Sequence, residues 1–312
     1  MQMQNPFPYS LDNKRYHTYN YYLKKRYHQK VAKIGLDAGF TCPNRDGKVG
    51  VGGCIYCSGD FVRQPSGTDL IRQLTAGCEI MRHKWPQCLF IAYFQSGSNT
   101  YGSLKRLQQC FEPFVGQRDI VGLSIATRPD CLSEEVLDYL EDLARRTDLT
   151  IELGLQTIHE KTAQLINRGH DLACFEEAVI QLRKRKIDIA VHIINGLPYE
   201  TPADMIATAR YVAKLDIQFL KIHMLYILEN TPLYHLYQSQ PFPLLSREDY
   251  IQLVVDQLEY LPENVVIERL TGDGDASRLF YPLWSIKKVT ILNDIDKEFL
   301  RRNTWQGKKA IP

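Results

Sequence analysis

Cys42, Cys54 and Cys57 stand in the run CPNRDGKVGVGGCIYC. Thiolates are soft ligands that suit iron–sulfur clusters or zinc. Cys54 and Cys57 form a C-x-x-C pair, which sets two thiolates on one metal or cluster. Cys42 lies eleven intervening residues earlier, across a loop holding Gly47, Gly50, Gly52 and Gly53. Such a loop can fold back, because glycine tolerates positive φ and close approach. Iron–sulfur clusters ordinarily take four cysteines, and structural zinc four ligands. Three thiolates on a four-iron cluster leave one iron open to a substrate or cofactor. The other cysteines, Cys78, Cys88, Cys110, Cys131 and Cys174, are scattered and read as small buried hydrophobes.

The elements that must position these thiols alternate. Short apolar strands are expected at 31–38, 88–94, 119–127, 149–157, 187–198, 217–227 and 264–270. Between them fall helical patterns at 68–85, 103–114, 133–146, around 159–167, 172–186, from 201 and at 246–261. Ser133 and Asp171 are N-caps, and Thr201-Pro202 opens a helix. Near-continuous apolar strands alternating with helices mean a parallel sheet covered by helices. No G-x-G-x-x-G opens a helix and no G-x-x-x-x-G-K-[ST] occurs, so neither a Rossmann nor a P-loop fold is supported. The fold class is therefore α/β, a partial or open (β/α)6-type TIM barrel with a C-terminal extension. Functional groups in such a barrel sit after the C-terminal ends of the strands. The cysteine loop follows the first strand, where such a site belongs. We divide the chain into a basic and aromatic segment (1–25), a core (26–265) and a C-terminal extension (266–312). The proline-containing stretch 228–245 reads as a linker.

Bulk properties exclude little. The net charge of +2 does not announce nucleic acid. Locally, residues 13–36 hold no acid but seven Lys or Arg and five tyrosines. Cations attract phosphates and aromatic faces stack on unpaired bases, so Lys24, Lys25 and Arg26 are candidate RNA contacts. The alternative is a solvated helix with its tyrosines packed inward. The N-terminal residues show no apolar signal region, and no run approaches ~18 apolar residues. A cytoplasmic location is expected, with no membrane span.

With Cys54-Ile55-Tyr56-Cys57 after the first strand, the chain resembles the radical S-adenosylmethionine (SAM) superfamily. Many members space the first two cysteines by three residues. The wider gap here is similar to the Elongator-catalytic-subunit-like branch. YFQSGSNTY (93–101), ATRPD (126–130), ELGLQT (152–157), INRGHD (166–171), HIINGLPYE (192–200), RLTGDGD (269–275) and the NTWQGKK tail resemble its YtqA/YhcC-type subgroup.

The resemblance implies that Cys42, Cys54 and Cys57 bind a single [4Fe–4S] cluster and that SAM chelates the open iron. One electron, from a donor such as flavodoxin or ferredoxin, then yields a 5′-deoxyadenosyl radical that takes hydrogen from substrate. It also suggests cofactor contacts. Tyr56 packs near the adenine or in the core. Gly97, Ser98 and Asn99 face the SAM ammonium. Glu152 and Gln156, on one strand face with Gly154, meet SAM, or Glu152 is buried in an ion pair with Arg128. Arg168 holds the SAM carboxylate or lies at a helix end. Gly196 makes a turn beside the adenine. His192 and His223 read as core histidines, and Asp273 and Asp275 as turn residues.

The subgroup resemblance points to tRNA. The implied reaction converts wobble 5-carboxymethylaminomethyl-(2-thio)uridine to 5-aminomethyl-(2-thio)uridine. Three alternatives stand beside it: a radical SAM enzyme acting on a small molecule or peptide, a zinc-stapled RNA-binding protein without catalysis, and a purely structural barrel. Oligomeric state is not legible.

Overall fold

The computed structural model describes residues 7, 9, 14–57, 69–272 and 274–310; Asp273 lies outside them. Seven strands form one parallel sheet in the order β1-β2-β3-β4-β5-β6-β8. They are β1 (Val31–Leu36), β2 (Leu89–Phe94), β3 (Ile120–Thr127), β4 (Asp148–Gln156), β5 (Asp188–Asn195), β6 (Phe219–Met224) and β8 (Val266–Arg269). The short β7 (Ile227–Leu228) pairs antiparallel with β9 (Leu279–Tyr281) in a separate ribbon. Among the described residues ten α-helices accompany them: α1 (Tyr19–Tyr27), α2 (Leu70–Lys84), α3 (Leu104–Phe111), α4 (Glu134–Arg146), α5 (Glu160–Leu165), α6 (Leu172–Lys184), α7 (Pro202–Val212), α8 (Pro232–Ser239), α9 (Arg247–Tyr260) and α10 (Lys288–Arg302). The expected partial (β/α) barrel is thus present, with β8 as a seventh strand.

Local chemistry explains the helix starts. Ser133 and Asp171 accept hydrogen bonds from the backbone N–H of Val136 and Cys174. Thr201 and Asp204 close a capping box with Pro202 at the first turn. The stretch expected to be a linker instead contains β7 and α8. Thr231 caps α8 and Pro232 opens it, the same signal that marks α7.

Among the described residues no strand pair joins β1 to β8, and α1 packs on both strands. Three of its partners begin strands. Tyr19 and Tyr22 stand edge-on to Phe219, the first residue of β6, with ring centroids 5.6 and 5.2 Å apart. Leu23 packs with Val31, which starts β1. Arg26 forks onto Asp148, which starts β4, and Tyr27 donates to the same carboxylate. Helix α1 therefore lies across the N-terminal ends of the strands and seals the barrel floor. Lys24 and Lys25 are exposed on its outer side.

The chain after α10 ties both termini to this floor. Gln306 is fully buried. Its side-chain amide donates to the carbonyls of Pro262 and Val265 at 2.7 and 2.8 Å, and its oxygen accepts from the His17 N–H at 2.8 Å. Arg15 Nη1 donates to the carbonyl of Thr304. The NTWQGKK run is a latch of the scaffold.

The floor yields a first prediction. Phe219→Ala removes the ring under Tyr19 and Tyr22 and should cost about 3–5 kcal/mol of stability. Lys24→Ala should stay within about 0.5 kcal/mol of the native protein. Denaturant titration of the two variants checks both.

Candidate cofactor site and substrate chamber

The cysteine loop leaves β1 at its C-terminal end and is held from three sides. The Cys57 N–H bonds the Cys54 carbonyl at 2.9 Å, closing the C-x-x-C turn. Ile55 donates its N–H to Ile166 and accepts from the Leu233 N–H, both at 3.0 Å. Two asparagines form a reciprocal clamp. Asn44 donates to the Asn167 carbonyl at 2.6 Å, and Asn167 donates to the Gly53 carbonyl at 2.8 Å. On the third side Ser98 donates its N–H to the Thr41 carbonyl at 3.0 Å. Gly97 has φ +76°, and a Cβ there would stand 2.2 Å from the Phe40 carbonyl oxygen. Only glycine permits that approach.

Cys42, Cys54 and Cys57 then line one hollow of about 220 Å³. None of the three is paired in a disulfide. Burial pushes the Cys54 thiol up, while the nearby Arg128 charge pulls the other way. Among the described residues no three His, Cys, Asp or Glu side chains converge on a point for a single metal ion. The thiols instead share the wall of a wider space. No fourth cysteine is among the described residues lining it. This donor set fits a [4Fe–4S] cluster held by three thiolates.

Tyr56, Gly97, Ser98, Arg128, Glu152, Gln156 and Arg168 line the same hollow. Asn99 and Gly196 are not among its walls. Asn99 is fully buried, and its amide donates to the carbonyls of Phe94 and Ala126, stapling the ends of β2 and β3. Gly196 makes the expected turn with φ +88°, but its Cα faces Leu245 and Leu225.

The arginines are more committed than their types suggested. Arg168 donates to the carbonyls of Leu155, Thr157 and His170 and pairs with Glu160 at 3.1 Å. Its guanidinium thus braces the 155–170 loop. Arg128 forks onto Asp130 at 2.7 and 2.8 Å and donates to the Arg168 carbonyl.

Glu152 is paired, but not with Arg128. Its carboxylate accepts from Lys33 at 2.9 Å, Ser124 at 2.6 Å, Tyr93 at 2.9 Å and Lys221. His192 Nε2 lies 2.8 Å from it. Glu268 completes the group, 2.7 Å from Lys33 and 3.4 Å from Lys221. Burial alone would raise the Glu152 pKa; Lys33 and Lys221 outweigh it and hold the carboxyl well below its ordinary value. Lys33 comes from the basic segment expected to face RNA, but it points into the barrel. The Lys33 ammonium lies 5.1 Å from the centre of the Tyr93 ring, and that of Lys221 4.6 Å.

Beyond this charged layer a second chamber of about 680 Å³ opens. It shares Tyr56, Tyr93, Gln95, Gln156 and His192 with the cofactor hollow. Its other walls include His223, Tyr226, Arg269 and Asp275. The two histidines read as core residues are therefore chamber walls, with ring centroids 5.3 Å apart. Two strand irregularities aim groups here. The register of β4 shifts before Gln156, which has φ +65°. The register of β6 and β8 shifts so that Lys221 pairs with Arg269. That bulge lets consecutive Glu268 and Arg269 both serve the interior.

Asn44, Asn167, Lys33, Lys221 and Glu268 were not singled out from sequence. A signal existed for the last three. Lys33 and Lys221 each stand as the one lysine in an apolar strand (VAKIGL, FLKIHM), Glu268 stands beside Arg269 at the end of VIER, and a buried charge requires a partner.

A parallel, open α/β barrel with three cysteines after its first strand defines the class of this site. Comparison with known proteins then fixes the family. The Radical SAM superfamily model matches residues 42–212, and the Radical_SAM C-terminal domain matches 217–301. The chain belongs to the radical SAM superfamily, whose members use a [4Fe–4S] cluster and SAM. It is 48% identical over 312 residues to the Bacillus subtilis protein YtqA, covering 99% of this chain and 97% of that one. It is 33% identical to Escherichia coli YhcC, covering 91% and 92%. A shorter match, 27% identical over 179 residues, is to the tRNA uridine(34) acetyltransferase of Dehalococcoides mccartyi, spanning 56% of this chain and 38% of that one. Among solved structures, archaeal Methanocaldococcus infernus Elp3 shares the fold with a TM-score of 0.67 at 16% identity, over 89% of this chain and 64% of that one. No helix among the described residues is long and apolar enough to cross a membrane.

Two variants probe the site. Gly97→Ala drives a methyl group into the Phe40 carbonyl and displaces the cysteine loop. Iron content after anaerobic reconstitution should fall severalfold while far-ultraviolet circular dichroism is unchanged. Glu152→Gln strands the Lys33 and Lys221 charges and should cost about 3–5 kcal/mol. The Glu152 carboxyl is depressed on folding. Its stabilising contribution is therefore complete above the unfolded pKa near 4.5 and is lost as pH falls through the folded value. Unfolding titrations at neutral pH and in acid should show the variant's deficit shrinking only in acid.

Proposed function

We propose that this enzyme acts on tRNA at the wobble uridine, converting 5-carboxymethylaminomethyl-(2-thio)uridine to 5-aminomethyl-(2-thio)uridine. The observation that carries the reading is the chamber of about 680 Å³ sharing five wall residues with the cysteine-lined hollow. A base swung out of the RNA into that chamber sets its substituent beside the radical source. Relatives named as tRNA uridine(34) acetyltransferases support a wobble-uridine substrate.

In this reading Cys42, Cys54 and Cys57 hold the cluster. When bound, the cluster supplies one electron and SAM supplies a hydrogen-abstracting carbon radical. Tyr56, on both walls, packs at the boundary between cofactor and substrate. Gly97 and Ser98 offer close backbone approach, while Arg128 and Gln156 present polar groups to the cofactor. Arg168 and Asn99 act through the loops they brace. An electron donor such as flavodoxin or ferredoxin completes the system, which then works in the cytoplasm beside its tRNA.

The electron count closes. SAM ends as methionine and 5′-deoxyadenosine, a two-electron reduction. Oxidation of the substituent's secondary amine to an imine would supply both: one electron leaves with the abstracted hydrogen atom, and the second would return to the cluster as a proton is lost, so the donor's electron primes the cycle. Water then cleaves the imine, giving the aminomethyl nucleoside and glyoxylate.

Anaerobic incubation of reconstituted enzyme with SAM, a reductant and tRNA bearing the carboxymethylaminomethyl group tests this. The digested wobble nucleoside should lose the mass of the carboxymethyl group, with glyoxylate appearing in equal amount. An unchanged nucleoside in the presence of intact cluster and measurable SAM cleavage would remove the proposal.

A further inference from the structure

The far wall of the chamber carries a feature that the reaction above does not use. Lys221 on β6 and Arg269 on β8 are Cα partners across a parallel pair. Paired residues point to the same face, and so does His223, two residues after Lys221. His223 and Arg269 both reach the chamber. His223 Nε2 is buried and has no hydrogen-bond partner. A buried imidazole nitrogen left without a partner is costly, and a ligand atom that satisfied it would recover that cost.

The charges around it decide what kind of atom belongs there. Facing His223 are the His192 ring, the ammonium of Lys221, the guanidinium of Arg269 and the carboxylate of Glu152. Glu152 is already saturated by Lys33, Lys221, Ser124, Tyr93 and His192. Asp275, another wall of the chamber, accepts from the Ser277 N–H at 3.0 Å and from its hydroxyl. Burial, His192 and Arg269 all push the His223 pKa down, so the ring stays neutral and can carry its hydrogen on Nε2. A neutral N–H donor beside an arginine matches an anionic oxygen acceptor.

We propose that His223 and Arg269 form a subsite for a carboxylate carried on the substrate, and that this subsite selects a carboxylated substituent over an uncharged one. The proposal rests on the reading of this chamber as the substrate site. It adds the ligand chemistry: one carboxylate oxygen accepts from His223 Nε2, and the guanidinium meets the same group from the neighbouring strand. Both residues are specificity determinants and take no part in bond breaking.

The test measures binding without turnover. Two anticodon stem-loop RNAs are compared, one bearing 5-carboxymethylaminomethyluridine and the other 5-methylaminomethyluridine, which lacks the carboxylate. Each is titrated into cluster-reconstituted enzyme with SAM and no reductant. Native enzyme should prefer the carboxylated RNA by roughly ten-fold or more. Arg269→Gln and His223→Phe should each bring that preference close to one, while His223→Gln, which keeps a donor, should retain most of it. Cluster absorbance and SAM binding, unchanged in all three, show that the variants are folded. Equal binding of the two RNAs by native enzyme overturns the subsite, as does a preference that survives both disabling variants. The two readings fail separately. A clear preference with RNA that stays unmodified on adding reductant supports the subsite and removes the reaction. Modification without preference does the reverse.

Discussion

Four buried charges at mid-barrel set the conditions for everything above and below them. Lys33, Lys221, Glu152 and Glu268 come from four different strands and meet on the axis. Burying one such charge without a partner carries a penalty of several kcal/mol, so each residue is tolerable only while the others are in place. An apolar layer could fill the same space with comparable stability. Stability is therefore a poor reason for the network. What it provides is a fixed set of charges and dipoles, already paid for during folding, beneath a site that must hold polar cofactors. Through Glu152 it fixes the Tyr93 hydroxyl and the His192 ring, two walls shared by both cavities.

Above that layer the sheet departs from regularity where the site requires it. Regular strands put every second side chain inside. The bulge in β8 aims two neighbours, Glu268 at the charged layer and Arg269 at the chamber. The shift in β4 turns Gln156 toward both cavities. The cysteine loop, lacking regular structure of its own, is positioned by exchange of hydrogen bonds between Asn44 and the 166–169 turn. Gly97 lets the loop after β2 press onto it. The thiols are thus placed by three neighbouring loops.

What was legible in the sequence follows the range of the forces involved. Strand and helix patterns are local, and Ser133, Asp171 and Thr201 cap the helices they were expected to cap. The cysteine loop was legible because its ligands lie in one short run. The partner of Glu152 was not, since Lys33 and Lys221 are 119 and 69 residues away in the chain. Asn99 and Arg168 have the right types for cofactor contact, but type does not reveal that backbone carbonyls already occupy the Asn99 amide nitrogen and the Arg168 guanidinium. The stretch 228–245 reads as a linker from its prolines, whereas Thr231-Pro232 starts a helix.

The floor constrains how a large substrate can approach. Helix α1 plugs the strand beginnings with Tyr19, Tyr22 and Leu23, and the Gln306 latch holds the segment before it. Tyr19 and Tyr22 face inward against Phe219, Tyr16 stacks on Phe299 and Tyr27 donates to Asp148, so these four are not stacking platforms for bases. Arg26 is engaged by Asp148, and Lys33 by two glutamates. Only Lys24 and Lys25 of its α1 basic run remain outward without these duties, beneath the end of the barrel opposite the cysteines. A strand of six to nine residues spans about 20–30 Å. Anything these lysines touch is separated by that thickness from the chamber. Tyr56 of the cysteine loop and Asp275 both line the chamber. The α1 segment that reads as a nucleic-acid surface is thus mostly scaffold, and in the proposed reading recognition of the reacting group falls to the chamber walls.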